Sequence, residues 1–526
     1  MNPQPRSYFN FCFLLLAALV GLLSTAGPAL GQAVGLPASA DSLRRLSEEK
    51  PAPVLPPVVV PTDTLVQIGA CPNAGPRARV FAILFVGNSK TKERILRAEL
   101  NIREGDTLTL ADLPARLEAN RRRLYNLQIF HSVLVQATCG GSGQITLLFS
   151  VQERWYVIPT PILSIADPNL KRWLDRSGRE RWQRLDYGVH LTHTNFRGRA
   201  EQLIANLQLG FNRKYELFYE VPGFGRRRRV GMGFGISYYQ SRNLDYITDY
   251  DRPKPLPQPE EDAFPIQRFY VSGGLRLRHT VQFITALDVA YHRESISDSI
   301  YRLNPDYFLG RTQREYLEFS LLTTNNQRNT FAYPLTGRFM QAAVSFRQFV
   351  GGVSGPAVAP AFATVRLRYA QYFSLGHQFY YALGLWGQTR LLASRYAYAD
   401  SRALGYEALV RGYDAYIIDG RSYGLVQQGL SFRAWAPPPL RLPFVANPKI
   451  NTLPLAVYLN IFADAGLASG NLGRPELATN QLPGQLLASL GLGLHVVTYY
   501  DRVFCLELAR TAHHQTGFFI RSTFPI

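Results

Sequence analysis

The sequence lacks the features that identify several common classes of membrane and catalytic protein. After residues 9–23, no apolar stretch reaches the roughly 18 residues that a membrane-spanning helix requires. No phosphate-binding loop and no paired Cys-x-x-Cys metal motif occur along the chain. A membrane role therefore has to come from strands, and we expect neither a metal nor another cofactor.

The composition favours strands and turns. The chain has only 3 Met but 29 Tyr, 31 Phe and 42 Gly, a balance typical of sheets with aromatic residues at a membrane interface. Its formal net charge of +19 is spread along the chain rather than gathered in one segment. The charge therefore gives no reason to expect nucleic acid as a partner.

The N-terminus has the pattern of a secretory signal. Arg6 precedes the apolar run 9–23, which is too short to span a bilayer and is followed by small residues. We expect residues 1–31 to be removed on export. Residues 32–78, rich in proline between 51 and 57, are expected to form an extended periplasmic linker.

Residues 79–158 have the pattern of one small α+β domain. The expected order is strand, helix, helix, strand and strand, at residues 80–86, 91–100, 110–125, 133–137 and 145–151. The first strand stops at Gly87, and Thr91 is expected to cap the first helix through its hydroxyl group. The size is that of a single compact domain.

This domain resembles a polypeptide-transport-associated (POTRA) domain. The resemblance rests on the turn after the first strand, the turn before the second helix, and the end of that helix, at Gly87, Asn88, Thr91, Gly105, Leu124, Tyr125 and Phe130. It implies a sheet edge that accepts an extended client segment. Cys71 precedes the first strand of the domain and Cys139 ends the second, so a disulfide between them would close the domain in an oxidising periplasm, although spacing alone fixes no geometry.

The remaining residues, 159–526, have the alternation of a transmembrane β-barrel. Large apolar residues alternate with small ones over 230–238 and again over 489–496. About fifteen such runs are distinguishable, and a bacterial barrel closes with an even number of strands. We predict a mainly β protein with sixteen antiparallel barrel strands, the sixteenth lying within 243–263. Cys505 is expected on the apolar outer surface.

Two short motifs carry the most specific information. The first is Val410, Arg411, Gly412 and Tyr413, and the second is Phe462, Asp464 and Gly466, which share one face of a strand because side chains alternate with period two. A guanidinium group can grip a carboxylate through two parallel hydrogen bonds. Arg411 and Asp464 are a cation and an anion that could form such a contact; the alternative for Arg411 is an exposed loop arginine.

Behind a POTRA-like domain, these motifs resemble those of the BamA/TamA family of outer-membrane assembly and transport barrels. The resemblance places the first motif on the sixth extracellular loop, folded back into the barrel, and the second on the thirteenth strand. It implies that Arg411 binds Asp464 and so fixes the loop against the barrel wall. Residues 328–337 resemble the family's turn between the eighth and ninth strands. Relatives commonly carry a second acidic residue on the twelfth strand, where this chain has Gln427 and Gln428. The contact is therefore expected to depend on Asp464 alone.

The resemblance implies a bacterial outer-membrane protein, not an enzyme, that helps polypeptides insert into or cross the membrane, with its N-terminal domain in the periplasm. Its expected partners are the lipid bilayer, unfolded outer-membrane or secreted polypeptides, and periplasmic accessory proteins or lipoproteins. A lateral seam between a first strand near 187–191 and a last strand at 516–526 would admit clients. The alternatives are a dedicated secretion pore for one partner, and a barrel lipid hydrolase that uses a serine with His513 and His514.

Overall fold

The computed structural model describes most of the chain beyond its N-terminal segment. The described residues are 66–69, 75–140, 143–166, 178–225, 228–257, 264–280, 282–350, 361–392, 395–405, 407–438, 440–441, 443, 452–469, 478–498 and 502–521. The predicted signal peptide and most of the predicted linker lie outside them. No helix within these ranges is both long and apolar enough to cross a bilayer.

The first described part of the chain is a small α+β domain. Its elements are β1 (Val66–Ile68), β2 (Arg77–Val86), α1 (Glu93–Glu99), β3 (Thr107–Thr109), α2 (Leu113–Tyr125), β4 (Phe130–Cys139) and β5 (Gln144–Glu153). The strand order in its sheet is β1-β4-β5-β2-β3. Leu96, Leu117 and Leu124 of the helices are fully buried against the strands. The predicted order is confirmed, with two short strands added at the sheet edges.

The rest of the described chain is dominated by strands. In chain order they are β6 (Val157–Ile165), β7 (Leu185–Phe196), β8 (Glu201–Gly210), β9 (Arg213–Val221), β10 (Val230–Ser241), β11 (Asp245–Asp249), β12 (Arg252–Pro255), β13 (Ile266–Arg278), β14 (Phe283–Ile296), β15 (Gln313–Asn326), β16 (Gly337–Val350), β17 (Ala361–Gly376), β18 (Phe379–Leu391), β19 (Arg402–Leu404), β20 (Ile418–Asp419), β21 (Ser422–Trp435), β22 (Leu440–Arg441), β23 (Thr452–Leu453), β24 (Ala456–Ala468), β25 (Leu486–Thr498), β26 (Arg502–Thr511) and β27 (Thr516–Arg521). Helices α3 (Gly178–Gln183) and α4 (Asp298–Leu303), with short 3-10 turns at Pro305–Tyr307 and Tyr398–Asp400, lie between strands.

Sixteen of these strands form one antiparallel sheet, as predicted. They are β6–β10, β13–β18, β21 and β24–β27, and each pairs with its neighbours in chain order. The other six strands form three two-stranded hairpins, β11–β12, β19–β20 and β22–β23. Within the described ranges the ladder ends at β6 on one side and at β27 on the other.

The predicted position of the sixteenth strand is wrong. Residues 243–263 contribute the hairpin β11–β12, whose Leu244 and Tyr246 pack on Tyr307 and Tyr398 outside the barrel sheet. The missing strand is β6, which contains two prolines and therefore does not follow the pattern of an interior strand. The segment 187–191, expected in the first barrel strand, belongs to the second, β7.

Along each barrel strand, side chains alternate between the outer surface of the barrel and its packed interior. Leu459 and Ile461 of β24 are 50% and 53% exposed, whereas Phe462 and Asp464 of the same strand are 1% and 3% exposed. An exposed apolar band that alternates with buried residues is the pattern of a lipid-facing barrel wall. Cys505 is an exception to our prediction: it faces inward, is fully buried and packs among aromatic side chains.

A charge placed on this outer band should destabilise the barrel according to its depth. We expect Ile461→Arg, near the middle of β24, to lower the free energy of unfolding by about 2 to 4 kcal/mol, because the guanidinium then faces hydrocarbon. Leu467→Arg, on the same face near the strand end, is the matched control and should cost about 0 to 1 kcal/mol. Urea titration in lipid vesicles measures both; equal costs would contradict the lipid-facing assignment.

Candidate functional site

The segment that joins β18 to β21 folds into the barrel. Val410 and Tyr413 within it are 1% and 2% exposed, and they pack with residues of the barrel wall such as Leu425 and Leu487. The short strands β19 and β20 pair within the same segment and give it a defined shape. We call residues 392–421 the inner loop.

Arg411 of the inner loop binds Asp464 of β24 through a two-pronged contact. Its Nε and Nη2 donate to the two carboxylate oxygens at 2.7 and 2.5 Å, and its backbone N–H donates to Oδ2 at 3.1 Å. Nη2 also donates to the carbonyl oxygen of Gln428 at 3.2 Å. Both side chains are almost completely excluded from solvent. Breaking a buried ion pair by removing one partner costs about 3 to 5 kcal/mol, so this contact, the clasp, fixes the loop strongly.

The other motif residues shape the surface that receives Arg411. The guanidinium carbon lies 3.9 Å from the centre of the Phe462 ring, which adds a cation–π contact. A Cβ at Gly466 would lie 2.6 Å from a methyl group of Val410, so only glycine leaves room for that side chain. Gly412 has φ +97°, a conformation that L side chains rarely adopt, and it turns the chain directly after Arg411.

Glu507 of β26 is a second acidic residue at the clasp. One of its carboxylate oxygens lies 3.5 Å from Arg411 Nη1, and the side chain is fully buried. The prediction that the clasp depends on Asp464 alone is therefore wrong. Gln427 of β21 donates instead to the carbonyl oxygen of Leu409 at 3.0 Å. The alternation of β26, which places Glu507 on the inward face, was the signal that could have identified it.

The clasp is connected to the last described strand. Arg521 of β27 lies 2.6 Å from the carboxylate of Asp414 in the inner loop and 2.7 Å from that of Glu507. Asp414 also accepts a hydrogen bond from the backbone N–H of Gly412 at 3.1 Å. The inner loop, β26 and β27 therefore share one buried set of charges.

The inner loop has a second anchor on another part of the wall. Asp400 accepts hydrogen bonds from Arg314 of β15 at 2.5 Å and from Arg347 of β16 at 2.9 Å. These arginines also bind Glu294 and Glu318 of neighbouring strands. The loop is thus held at Asp400 and at Arg411, on strands that are not neighbours, so it crosses the interior.

The turn between β15 and β16 reaches the same region. Tyr333 within it is 5% exposed, stacks on Tyr458 with ring centres 4.5 Å apart, and contacts the Nδ1 atom of His495 at 3.0 Å. His495 in turn lies 3.5 Å from Glu507. This is the turn between the eighth and ninth barrel strands, where the sequence resemblance placed it.

The histidines at 513 and 514 do not form a hydrolase-like arrangement in the described structure. His513 Nδ1 lies 2.8 Å from the hydroxyl of Tyr413, so it contacts the clasp motif. The sequence analysis missed a Gly-x-Ser-x-Gly match at residues 420–424. Its Ser422 begins strand β21 and contacts the Thr389 hydroxyl at 2.7 Å, whereas a nucleophile elbow requires a strand, a sharp turn and a helix.

The signature residues of the small domain lie in its core, in its turns, or at its contact with the barrel. Leu124 and Phe130 are fully buried, Tyr125 packs against the same core, and Gly105 and Gly87 form turns. Asn88 donates to the carbonyl oxygen of Thr91 at 3.1 Å. Cys71 lies outside the described residues, so its pairing with Cys139 stays a prediction.

Thr91 does not cap the first helix, which begins at Glu93 without a side-chain cap. Its hydroxyl and backbone N–H both donate to Glu153 at 2.7 Å, and it accepts a hydrogen bond from Asn195 of β7 at 2.9 Å. The reason is geometric: Lys92 holds the cap position, and the Thr91 hydroxyl oxygen, which a cap would use to accept from a helix N–H, accepts from Asn195 instead. Thr91 therefore links the two domains.

A buried ion pair strengthens the contact between domains. Glu99 of α1 is completely buried and accepts hydrogen bonds at 2.8 Å from Arg228 and from Arg278, which lie at the ends of barrel strands. The backbone N–H of Lys92 donates to the Gly198 carbonyl at 3.0 Å. The small α+β domain thus lies on the turns of the barrel's first half. No cluster of metal-binding side chains occurs in the described part of the chain.

The buried Glu153 makes the domain contact sensitive to acid. Burial would raise the pKa of Glu153, but hydrogen bonds from Thr91 and Ser89 outweigh burial and hold it below the usual 4.5. Because the folded-state pKa is depressed, the stabilisation is present above about pH 4.5 and is lost as the pH falls through the folded-state value.

We expect Glu153→Gln to weaken protection of the Lys90 and Thr91 amides by about 1 to 3 kcal/mol at pH 7, because both donate to this carboxylate. Hydrogen exchange measured from about pH 2.5 to 7 should show the difference from wild type shrinking below pH 4.5. Asp112→Asn, which removes a carboxylate from the same domain, should leave these amides unchanged. A difference that is independent of pH would contradict the assignment.

Comparison with known proteins agrees with this architecture. The model for POTRA, described as a surface antigen variable number repeat, matches residues 78–154, and the model for the Omp85 superfamily domain matches residues 195–498. No curated protein matches the chain significantly.

Solved structures match this chain at low sequence identity. BamA from Haemophilus ducreyi lacking POTRA domains 1-3 is 16% identical over 85% of this chain and 83% of that one, with a TM-score of 0.47. CdiB from Escherichia coli is 13% identical over 85% and 75%, with a TM-score of 0.50. Because the Omp85 model spans more than half of the sequence, this chain belongs to the Omp85 superfamily as an outer-membrane β-barrel preceded by a POTRA domain.

Proposed function

We propose that this protein assists the insertion or translocation of polypeptides into or across the outer membrane. Membership in the Omp85 superfamily supports this role in general. In the proposed mechanism the POTRA domain lies in the periplasm, receives extended clients at its sheet edge, and delivers them to a barrel that opens laterally. Its partners are the bilayer, unfolded outer-membrane or secreted polypeptides, and periplasmic accessory proteins or lipoproteins. No enzymatic step is part of the proposal.

The observation that carries this proposal is the seam. Fifteen strand-to-strand ladders join the sixteen barrel strands, and within the described residues no ladder joins β6 to β27. A barrel normally removes all sheet edges, because an unpaired backbone in lipid is costly. A wall with one weak junction is suited to admitting another strand at that place.

The inner loop bears on the alternative of a dedicated secretion pore. The loop crosses the interior and is anchored at Asp400 and Arg411. A partner that passed through the interior would meet this anchored loop, which favours opening of the seam over a central pore. The lipid-hydrolase alternative receives less support, because His513 contacts Tyr413.

Crosslinking across the seam tests the proposal. A cysteine at Leu163 of β6 is combined in turn with cysteines at Thr516, Phe518 and Ile520 of β27, in cells from which the native copy can be depleted. We expect oxidation to block client assembly, seen by quantitative proteomics of the outer membrane, and reduction to restore it. The corresponding single-cysteine variants are the controls.

The clients lost on oxidation define the role. Loss of many unrelated barrels indicates general assembly, and loss of one or a few surface proteins indicates a specialised transporter. An unchanged outer-membrane proteome despite complete crosslinking would overturn the proposal.

A further inference from the structure

Arginine and phenylalanine side chains alternate in a row at one end of the barrel. The guanidinium carbon of Arg184 lies 4.5 Å from the centre of the Phe211 ring. That of Arg242 lies 5.6 Å from the same ring and 4.3 Å from the ring of Phe264. The guanidinium carbon of Arg213 completes the row, 4.9 Å from the Phe264 ring. Two rings therefore bring three cations together, and we call these five residues the arginine row.

The arginine row lies at the end of the barrel opposite the POTRA domain. The POTRA domain contacts the turn between β7 and β8 at Gly198. Arg184 directly precedes β7 and Arg213 follows the end of β8, so both residues lie at the other ends of these strands. With the POTRA domain in the periplasm, as proposed above, the row lies at the outer surface of the membrane.

Arg213 lies on the lipid-facing side of the barrel wall. It shares one face of β9 with Tyr215, which is 37% exposed and stacks on Tyr238 of β10 with ring centres 6.4 Å apart. The opposite face of β9 carries Lys214, which pairs with Glu216 at 2.8 Å. Tyrosines on the outer surface of a barrel form the girdle at the membrane–water interface. Arg213, two positions beyond this girdle, therefore lies at the depth of the lipid head groups.

The row concentrates positive charge at this depth. Guanidinium groups repel one another, and cation–π contacts with the rings offset part of that cost. Arg242 donates to the carbonyl oxygen of Phe211 at 3.2 Å, which helps to fix its position. Arg213 is exposed and forms no ion pair within the part of the chain that the structure describes. A guanidinium group that stacks on a ring through its face still presents N–H donors at its edge, in a geometry that matches phosphate oxygens.

From this geometry we infer that the arginine row binds the phosphate group of a lipid in the outer leaflet. A lipid is favoured over free phosphate because the row adjoins the tyrosine girdle and the apolar outer band. A ligand held there by its phosphate also places its acyl chains against the barrel wall. The inference goes beyond the proposed function and takes from it only the placement of the POTRA domain in the periplasm.

Binding of a phosphorylated lipid to the full-length protein tests this inference. The probe is fluorescent lipid A, a phosphorylated glycolipid, titrated into the protein in neutral detergent micelles. We expect Arg213→Gln/Arg242→Gln to raise the Kd by about tenfold, because both arginines donate charge-assisted hydrogen bonds to the phosphate. Lys214→Gln/Arg268→Gln removes the same charge from the interior, where both cations pair with carboxylates, and should leave the Kd unchanged. The faster gel migration of unboiled, folded barrels checks that both variants are folded.

Two further probes separate the possible sources of phosphate. Lipid A without its phosphate groups should bind about tenfold more weakly than the intact lipid. Inorganic phosphate should displace the intact lipid no better than sodium chloride at the same ionic strength. Equal binding of the two lipids, or equal Kd values in the two double variants, would overturn the inference, and specific displacement by inorganic phosphate would overturn the assignment to a lipid. Crosslinking of the seam, which tests the proposed function, is independent of these outcomes.

Discussion

The buried contact between Arg411 and Asp464 is the constraint on which the interior of this barrel depends. Removing two charges from water is costly, and the cost is offset only when the geometry is good and the remaining donors find partners. Here the backbone of Arg411, the carbonyl of Gln428 and the ring of Phe462 complete the environment of the pair. These contacts restrict the inner loop to one position. Gly466 is needed there because it leaves room for the side chain of Val410, the residue before Arg411.

The same charges connect parts of the molecule that are far apart in sequence. Glu507 lies beside Arg411, His495 and Arg521, and Arg521 reaches Asp414 of the inner loop. These contacts connect the clasp to the turn between the eighth and ninth strands, through Tyr333 and His495. They also connect it to the last described strand, β27, through Arg521. At the other end of the barrel, Glu99 and Thr91 seat the POTRA domain on the strand turns. The proposed opening of the seam is therefore constrained by the clasp at one end of the barrel and by the POTRA domain at the other.

Much of this arrangement follows from local patterns. Period-two alternation placed Asp464 opposite an apolar face, and the resemblance of the two motifs to the family implied the pairing with Arg411, which the chemistry of a guanidinium and a carboxylate explains. Glu507 was missed because relatives carry their second acidic residue on the twelfth strand, whereas Glu507 lies on the fifteenth. Only the fold brings that strand close to Arg411. Strand β6 was missed because its prolines break the pattern of an interior strand, and Thr91 because its competing partner Glu153 is distant in sequence.

The most direct test of the account is a double-mutant cycle on Arg411→Ala and Asp464→Ala, with unfolding free energies measured in lipid vesicles. The account predicts a coupling free energy of about 2 to 3 kcal/mol, because removing either side chain leaves the other as a buried charge without its partner. The exposed pair Arg366 and Glu407, which also joins the wall to the inner loop, is the matched control and should couple by less than about 1 kcal/mol. Equal coupling in the two pairs, or none between Arg411 and Asp464, would contradict the claim that the clasp fixes the loop.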